Sequence, residues 1–153
     1  EDNVPKGYSD LVRIWNRAAT RGTYYQPRTS WAWLKEQWTD NLLLALPWAS
    51  SFIAKNTLTF NRIVPDLPCA PWVFREVATE LPFARLIDAA IERYVKDNAA
   101  TVQDVKSVYY ARRGDMEPYM VMRAKGQINA SFDSHKVDHL SSCAFSFQSY
   151  LDL

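Results

Sequence analysis

The chain has 153 residues, of which 48% are apolar and 23% are charged, and its formal net charge is +1. These values are typical of a globular domain, and a charge near zero gives no general attraction to nucleic acid or to an anionic membrane. Only four glycines are present. This disfavours Rossmann, phosphate-loop and all-β folds, which use glycine in tight turns and beside phosphates. The longest uncharged run, residues 41–54, is too short to span a bilayer, so we predict no transmembrane segment.

Cysteine usage and the first residues of the chain bear on its compartment. The two cysteines, Cys69 and Cys143, are too few for a disulfide framework, so a reducing intracellular compartment is the simpler expectation. No signal peptide is visible in residues 1–22. The chain begins with Glu1 rather than Met, which leaves a processed mature protein and a trimmed chain both open.

The N-terminal half predicts a short arm followed by helices. Residues 1–7 are expected to form a loose arm, because Pro5 and Gly7 interrupt regular structure. After the arm, apolar residues recur three and four positions apart, as on one face of an α-helix. Ser, Thr or Asp stands at the first three expected helix starts. The helices predicted on this basis cover residues 8–21, 31–38, 40–46 and, beyond a kink at Pro47, 48–63.

Three prolines punctuate an extended connector over residues 64–71. This connector is the one place where a boundary between two halves is conceivable, but each half alone would have only a thin core. We therefore predict one domain over residues 1–153. A short helix over residues 72–81 is expected to follow the connector.

Residues 83–113 carry the strongest helical pattern and are expected to form an α-hairpin. The first arm places its apolar residues on one continuous face, with charged residues opposite. The second arm starts at Thr101, three residues before Asp104, as in a capping box, and Gly114 can end it. The apolar stripe of the second arm consists of Val102, Val105, Val108 and Tyr109.

The rest of the chain is expected to form a second hairpin. One helix runs from Asp115 to a stop at Gly126. A last helix from His135 to about Leu151 carries apolar residues alternately three and four positions apart. The complete prediction is an all-α fold of seven or eight helices in an irregular array of α-hairpins. The hairpins approach the 34-residue period of tetratricopeptide and pentatricopeptide repeats, although the tetratricopeptide signature residues are absent.

His135, His139 and Cys143 form the sharpest candidate site in the sequence. Their spacing of four places all three on one face of the last predicted helix, and both residue types are zinc or copper ligands. The three positions climb about 12 Å along the helix, so one ion can bridge two neighbours but needs a further ligand, for which Cys69 is the candidate. We prefer the alternative that the histidines flank an apolar seam and Cys143 fills the core. No metal or other cofactor is predicted.

A basic-aromatic run is a candidate for binding single-stranded nucleic acid. Aromatic side chains that stack on bases, beside arginines that hold phosphates, are typical of such sites. The run consists of Tyr109, Tyr110, Arg112 and Arg113, with Arg123 and Lys125 downstream. The near-zero net charge instead favours a helix C-terminus that carries the cations expected there.

Tyr24, Tyr25 and Trp33 are candidates for contacts with a protein partner. They belong to a group of aromatic residues in the N-terminal third of the chain. Unlike Trp31 and Trp38, they do not fit the apolar face of a predicted helix. Exposed aromatic residues often mark partner surfaces, but an ordinary packing role for these rings remains an equal alternative.

Enzyme motifs are missing from the sequence, which contains no Gly-x-Ser-x-Gly, phosphate-loop, His-Glu-x-x-His or Cys-x-x-Cys pattern. Glu76 and Glu80, four positions apart on a predicted helix, are candidate paired acids, although such a pair is commonly a solvated face. With two histidines, acid–base chemistry has few candidates. We therefore predict a non-catalytic protein that binds other proteins. An RNA-binding helical-repeat protein and a metal- or redox-linked enzyme are the alternatives.

The size of the chain, its predicted layout of seven or eight helices and the hairpins at residues 83–113 and 115–151 resemble one family of proteins. These are the small helical-hairpin accessory subunits of mitochondrial energy-converting complexes, in particular the pentatricopeptide-like subunit on the F1 sector of euglenozoan ATP synthase. The resemblance implies an accessory subunit on the matrix side of mitochondria that docks on a catalytic subunit of an ATP synthase or respiratory complex. It assigns a function to no individual residue.

Overall fold

The computed structural model of the protein describes residues 5–23, 25–126 and 142–153, and all of their side chains except those of residues 123–126. The α-helices in this part are α1 Lys6–Arg21, α2 Trp31–Gln37, α3 Phe52–Thr59, α4 Ala84–Asp97, α5 Met116–Gly126 and α6 Phe147–Leu151. The β-strands are β1 Ala45–Leu46, β2 Trp72–Glu76 and β3 Thr101–Val105. Short 3-10 helices occupy Arg113–Asp115 and Cys143–Phe145.

The prediction of an all-α fold is wrong, because the centre of the chain forms a parallel β-sheet with strand order β1-β2-β3. Helix α3 connects β1 to β2, and helix α4 connects β2 to β3. Two successive right-handed crossovers in the same direction place both helices on one face of a sheet. In agreement, α3 and α4 pack together, with the ring of Phe52 edge-on to that of Tyr94 at a centroid distance of 5.5 Å.

The predicted hairpin over residues 83–113 is half correct. Its first arm is helix α4, but its second arm is strand β3, in which Thr101 lies opposite Trp72 and Val105 opposite Glu76. The spacing of Val102 and Val105 fits a helix, but β-branched residues favour the extended backbone that β2 offers as a partner. A hairpin of two helices is therefore absent from this segment.

The predicted helices over residues 72–81 and 40–46 are also wrong. Residues 72–76 form the central strand β2, and of residues 40–46 only Ala45 and Leu46 take a regular conformation, as β1. A hydrogen bond from the Trp72 N–H to the Leu44 carbonyl at 2.8 Å extends the pairing of β1 with β2. Strands this short have an apolar pattern that does not distinguish them from buried helix.

The other predicted helices agree more closely with the structure within the described residues. Helices α2 and α5 lie where the sequence places them, and α3 occupies the middle of the predicted segment 48–63. Helix α1 begins at Lys6, so it includes two residues of the predicted arm. The last predicted helix, from 135 to 151, is described only from residue 142, where a 3-10 turn and α6 replace one continuous helix. Residues 135–141 lie outside the described part of the chain.

Non-glycine residues take the backbone conformations that usually require glycine. Phe60 ends α3 in the left-handed region with φ 55°, and Ala78 has φ 50° in the loop that follows β2. Left-handed conformations are costly for residues with a Cβ atom. The chain thus builds a parallel α/β unit with few glycines.

One hydrophobic core lies between the sheet and helices α3 and α4. Its buried residues are Leu46, Trp48, Ile53, Ala54, Val73, Leu81, Ala84, Ile87, Ile91, Tyr110 and Phe145. Phe145 comes from the C-terminal segment, which hydrogen-bonds alongside the segment after β3 and closes one end of the core. Of the described helices, none has the length and apolar character that a membrane span requires.

Candidate functional site

Helix α1 leaves much of its apolar face uncovered. Tyr8, Leu11 and Trp15 expose 61%, 56% and 61% of their surface, and Val12 exposes 37%. Residues at these spacings are neighbours on one side of a helix. Together they form a continuous apolar surface, which we call the α1 strip (Tyr8, Leu11, Val12 and Trp15).

Polar contacts hold α1 on the rest of the protein. The Asp10 carboxylate accepts hydrogen bonds from the Thr39 hydroxyl at 2.6 Å and from the Asn41 amide at 3.1 Å. These bonds, from Thr39 first and then from Asn41, lower the pKa of Asp10 below its ordinary value. Arg13 donates to the Gln37 carbonyl at the end of α2 at 3.3 Å. Only Ala18 of α1 is buried, so α1 is anchored with very little apolar packing.

Trp33, one of the three aromatic residues proposed from the sequence, is partly buried and packs against α1. The Arg17 guanidinium lies over its ring, 4.3 Å from the centroid. Its indole Nε1 is buried and meets no acceptor among the described residues. Tyr25 is largely exposed and has φ 61°, while Tyr24 lies outside the described residues. The structure therefore does not bring the three aromatic residues together in one described surface.

The α1 strip was missed as a binding surface, although its pattern was visible. The spacing of Leu11, Val12 and Trp15 predicts an amphipathic helix, and such a face normally packs on the core. Nothing in the sequence distinguishes a covered face from an uncovered one. The distinction depends on where α2 and residues 38–41 lie.

Polar side chains gather at the carboxyl ends of β2 and β3, where ligands bind in many open parallel sheets. The buried Glu76 carboxylate accepts the backbone N–H of Ser107 at 2.7 Å and the Ser107 hydroxyl at 2.6 Å. Glu80 lies in the following loop and accepts from the Ser142 hydroxyl at 3.4 Å and the Cys143 thiol at 3.6 Å. The two acids are therefore not paired on a helix, as the sequence suggested.

Lys106 and Tyr110 complete this cluster. The Lys106 ammonium donates to the carbonyls of Val77 and Ala78 at 3.3 and 3.0 Å. Burial lowers the pKa of Lys106, and burial likewise raises that of Tyr110, whose hydroxyl donates to the Ser142 carbonyl. The hydrogen bonds of Glu80 and Tyr110 with Ser142 and Cys143 tie the C-terminal segment to the carboxyl ends of the strands.

The predicted metal ladder is only partly visible. Cys143 lies in a 3-10 helix rather than an α-helix, and its thiol donates to Glu80. His135 and His139 lie outside the described residues. Within the described part, no three His, Cys, Asp or Glu side chains are grouped as metal ligands, so the ladder stays a prediction.

The basic-aromatic run lies before and within the 3-10 helix at Arg113–Asp115 rather than at the end of a long helix. Tyr110 is buried in the core. The Tyr109 ring packs against Phe145 at a centroid distance of 5.7 Å, and Arg113 pairs with Asp152 at 2.8 Å. The side chains of Arg123 and Lys125 lie outside those described. The Tyr110 ring is thus packed in the core, whereas the Tyr109 ring packs on Phe145 and stays 39% exposed.

No protein-family model matches this chain, and no curated protein shows significant sequence similarity to it. The hairpin expected at residues 83–113, one basis of the resemblance to mitochondrial accessory subunits, is replaced by α4 and β3. A function is therefore inferred from the residues of this chain alone.

Proposed function

We propose that the protein is a non-catalytic subunit that binds another protein through the α1 strip. The observation that carries this proposal is the exposed apolar side of a 16-residue helix in which only Ala18 is buried. A helix of this length is marginal in water by itself, and most helices are stabilised by packing an amphipathic face. A partner that covers the strip supplies the packing that this chain does not provide.

The chemistry of the strip favours a protein groove over a lipid surface. Helices that lie on anionic membranes combine an embedded apolar face with cations that reach the head groups. At 3.6 residues per turn, Arg13 and Arg17 lie on the side of α1 opposite Trp15. Both contact α2, through the Gln37 carbonyl and the Trp33 ring. They therefore point away from a surface on which the strip rests.

The proposal also includes the kind of assembly to which the partner belongs. We assign the protein to a large assembly, a mitochondrial ATP synthase or respiratory complex, with the protein on the matrix side. The size of the chain and its wealth of aromatic residues, which are enriched at interfaces, support this assignment. The helical layout does not, because the sheet takes the place of one expected hairpin.

Native purification from the source, followed by mass determination of the particle that carries the chain, tests the proposal. We expect a stoichiometric protein complex for the wild type and its loss for Leu11→Asp and Trp15→Asp. Leu86→Asp is the matched control, because Leu86 is 61% exposed on α4. All three changes lie on the surface, so the unfolding free energy should shift by no more than about 0.5 kcal/mol. A free wild-type monomer, or equal recovery of the complex with all three variants, overturns the proposal.

A further inference from the structure

Three arginines line a cavity at the C-terminal end of α1. The cavity has a volume of about 200 Å³ and lies between the last turn of α1, the segment 28–30 and α2. Among the described residues, no carboxylate lines it. Its polar lining consists of Arg17, Arg21, Arg28, Thr29, Ser30 and Trp33.

The backbone around the cavity is held in a defined shape. The Arg28 N–H donates to the Gly22 carbonyl at 3.2 Å and closes the loop that follows α1. A Cβ atom at Gly22 would lie 1.9 Å from the Arg28 carbonyl oxygen, so only glycine permits this approach. The loop thus places Arg28 beside the arginines of α1.

Two of the arginines are contributed by consecutive turns of α1. The Arg17 guanidinium is positioned by the Trp33 ring, 4.3 Å from its centroid. Arg21, one turn further on, is exposed and makes no ion pair with the residues that the structure describes. A cation in the last turn of a helix is expected from the helix dipole, which accounts for Arg21 but not for the presence of three arginines in the lining of one cavity.

Ser30 adds a further hydrogen-bond donor to the lining of the same cavity. The Ser30 Oγ accepts the Trp33 backbone N–H at 3.2 Å, so its own hydroxyl hydrogen remains available to donate. Guanidinium groups bind oxyanions with paired, charge-assisted hydrogen bonds. The lining thus offers donors and positive charge, which is the chemistry that an oxyanion requires.

The size of the cavity limits the ligand. Sites for drug-sized molecules span about 300–1,000 Å³, so about 200 Å³ suits a single compact group. A second cavity of about 590 Å³, lined in part by Arg17, Arg21 and Trp33, adjoins it between α1 and α2. This second cavity has room for a stem that carries the group.

We propose that the arginine cavity binds a phosphoryl group, either as inorganic phosphate or on a phosphorylated side chain. The site does not depend on the proposed partner surface, because Arg21 lies on a different side of α1 from the strip. It is also distinct from the basic-aromatic run that the sequence suggested for nucleic acid.

Calorimetric titration at constant ionic strength tests the site, with inorganic phosphate, O-phosphoserine and serine as probes. We expect phosphate or phosphoserine to bind, serine not to bind, and Arg21→Ala to weaken binding about tenfold or more. Arg21→Lys should restore part of the affinity, because it keeps the charge but loses the fork of donors. Arg62→Ala is the control, since Arg62 is exposed and lies outside the cavity lining.

The outcomes distinguish inorganic phosphate from a phosphorylated side chain, and they distinguish the arginine cavity from the α1 strip. Tighter binding of phosphoserine than of phosphate indicates a group carried by another chain, and the reverse indicates free phosphate. No binding of either probe above the chloride background, or equal weakening by Arg62→Ala, overturns the proposal. Leu11→Asp, which tests the partner surface, should leave binding of the probe unchanged. Thermal unfolding of each variant verifies that it is folded.

Discussion

Glu76 and Ser107 join the ends of two neighbouring strands through two hydrogen bonds. Glu76 is the last residue of β2 and is only 4% exposed, and Ser107 follows β3. One carboxylate oxygen accepts the Ser107 N–H at 2.7 Å and the other accepts its hydroxyl at 2.6 Å. A buried carboxylate is tolerated when it is hydrogen-bonded in this way, so the pair fixes the carboxyl end of the sheet.

We expect Glu76→Ala to lower the unfolding free energy by about 2 kcal/mol, because it leaves the Ser107 N–H without its acceptor. Glu76→Gln should lose less, since an amide oxygen can still accept that bond. Urea unfolding measures both values. Glu36→Ala, at an exposed position on α2, serves as the control and should change little. A loss below about 0.5 kcal/mol for Glu76→Ala would show that the contact contributes nothing.

A second prediction contrasts two glycines. Gly22→Ala should disrupt the loop after α1, because its Cβ would overlap the Arg28 carbonyl oxygen, and overpacking costs about 1–3 kcal/mol. Gly114→Ala should be tolerated, since nothing lies within 4 Å of a Cβ built there. Thermal unfolding and phosphate titration of both variants provide the measurement. If Gly22→Ala binds phosphate as the wild type does, the loop does not shape the arginine cavity.

Ser51 caps the N-terminus of α3, where its Oγ accepts the Ala54 N–H at 3.3 Å. Replacement of an N-cap serine by alanine typically costs about 1 kcal/mol, and we expect this loss for Ser51→Ala. The adjacent Ser50 is exposed and provides a matched control in Ser50→Ala. Equal stabilities of the two variants in urea would mean that the cap does not stabilise α3.

The ion pair between Arg75 and Asp104 predicts a dependence of stability on pH. The Arg75 Nε and Nη2 donate to the two Asp104 oxygens at 2.7 and 3.0 Å, and these bonds lower the pKa of Asp104. A carboxylate whose folded pKa is depressed stabilises the protein fully above its unfolded pKa, about 3.9. This stabilisation is lost as the pH falls through the folded pKa.

Asp104→Asn should therefore be less stable than the wild type near neutral pH, and the difference should shrink between about pH 5 and pH 2. Urea unfolding of both proteins across this range measures the difference directly. Asp97→Asn is a suitable control, because Asp97 has no ion pair among the described residues. A difference that stays constant with pH would exclude Asp104 as the titrating group.

The contrast between α4 and β3 shows what the sequence could and could not predict. Helix α4 has 14 residues and buries Ala84, Ile87 and Ile91 on one side, so its period is repeated often enough to be recognised. Strand β3 has only five residues, and Thr101 and Asp104 imitate a capping box by chance. Asp104 instead pairs with Arg75 across the sheet, a partner that no local pattern can indicate.

The candidate sites, even more than strand β3, depend on contacts between residues that are far apart in the sequence. Arg17 and Arg21 lie on one predicted helix, but Arg28 joins them in the lining of the cavity only because the loop is closed at Gly22. The contact between the Trp33 ring and Arg17 of α1 likewise joins two separate helices, and the role of Trp33 at a partner surface stays a prediction. The sequence thus shows which residue types are present, but it does not show which side chains are covered or which of them line the same cavity.

The parallel pairing of the three strands also sets the order in which the protein can fold. Each strand pair encloses an entire helix, so β2 cannot pair with either neighbour before a long segment has been brought back to it. Closing such loops costs conformational entropy before any contact compensates for it, and chains rich in distant contacts fold more slowly than helical hairpins. This protein is accordingly expected to refold more slowly than a helical bundle of its length, with α4 formed ahead of the sheet.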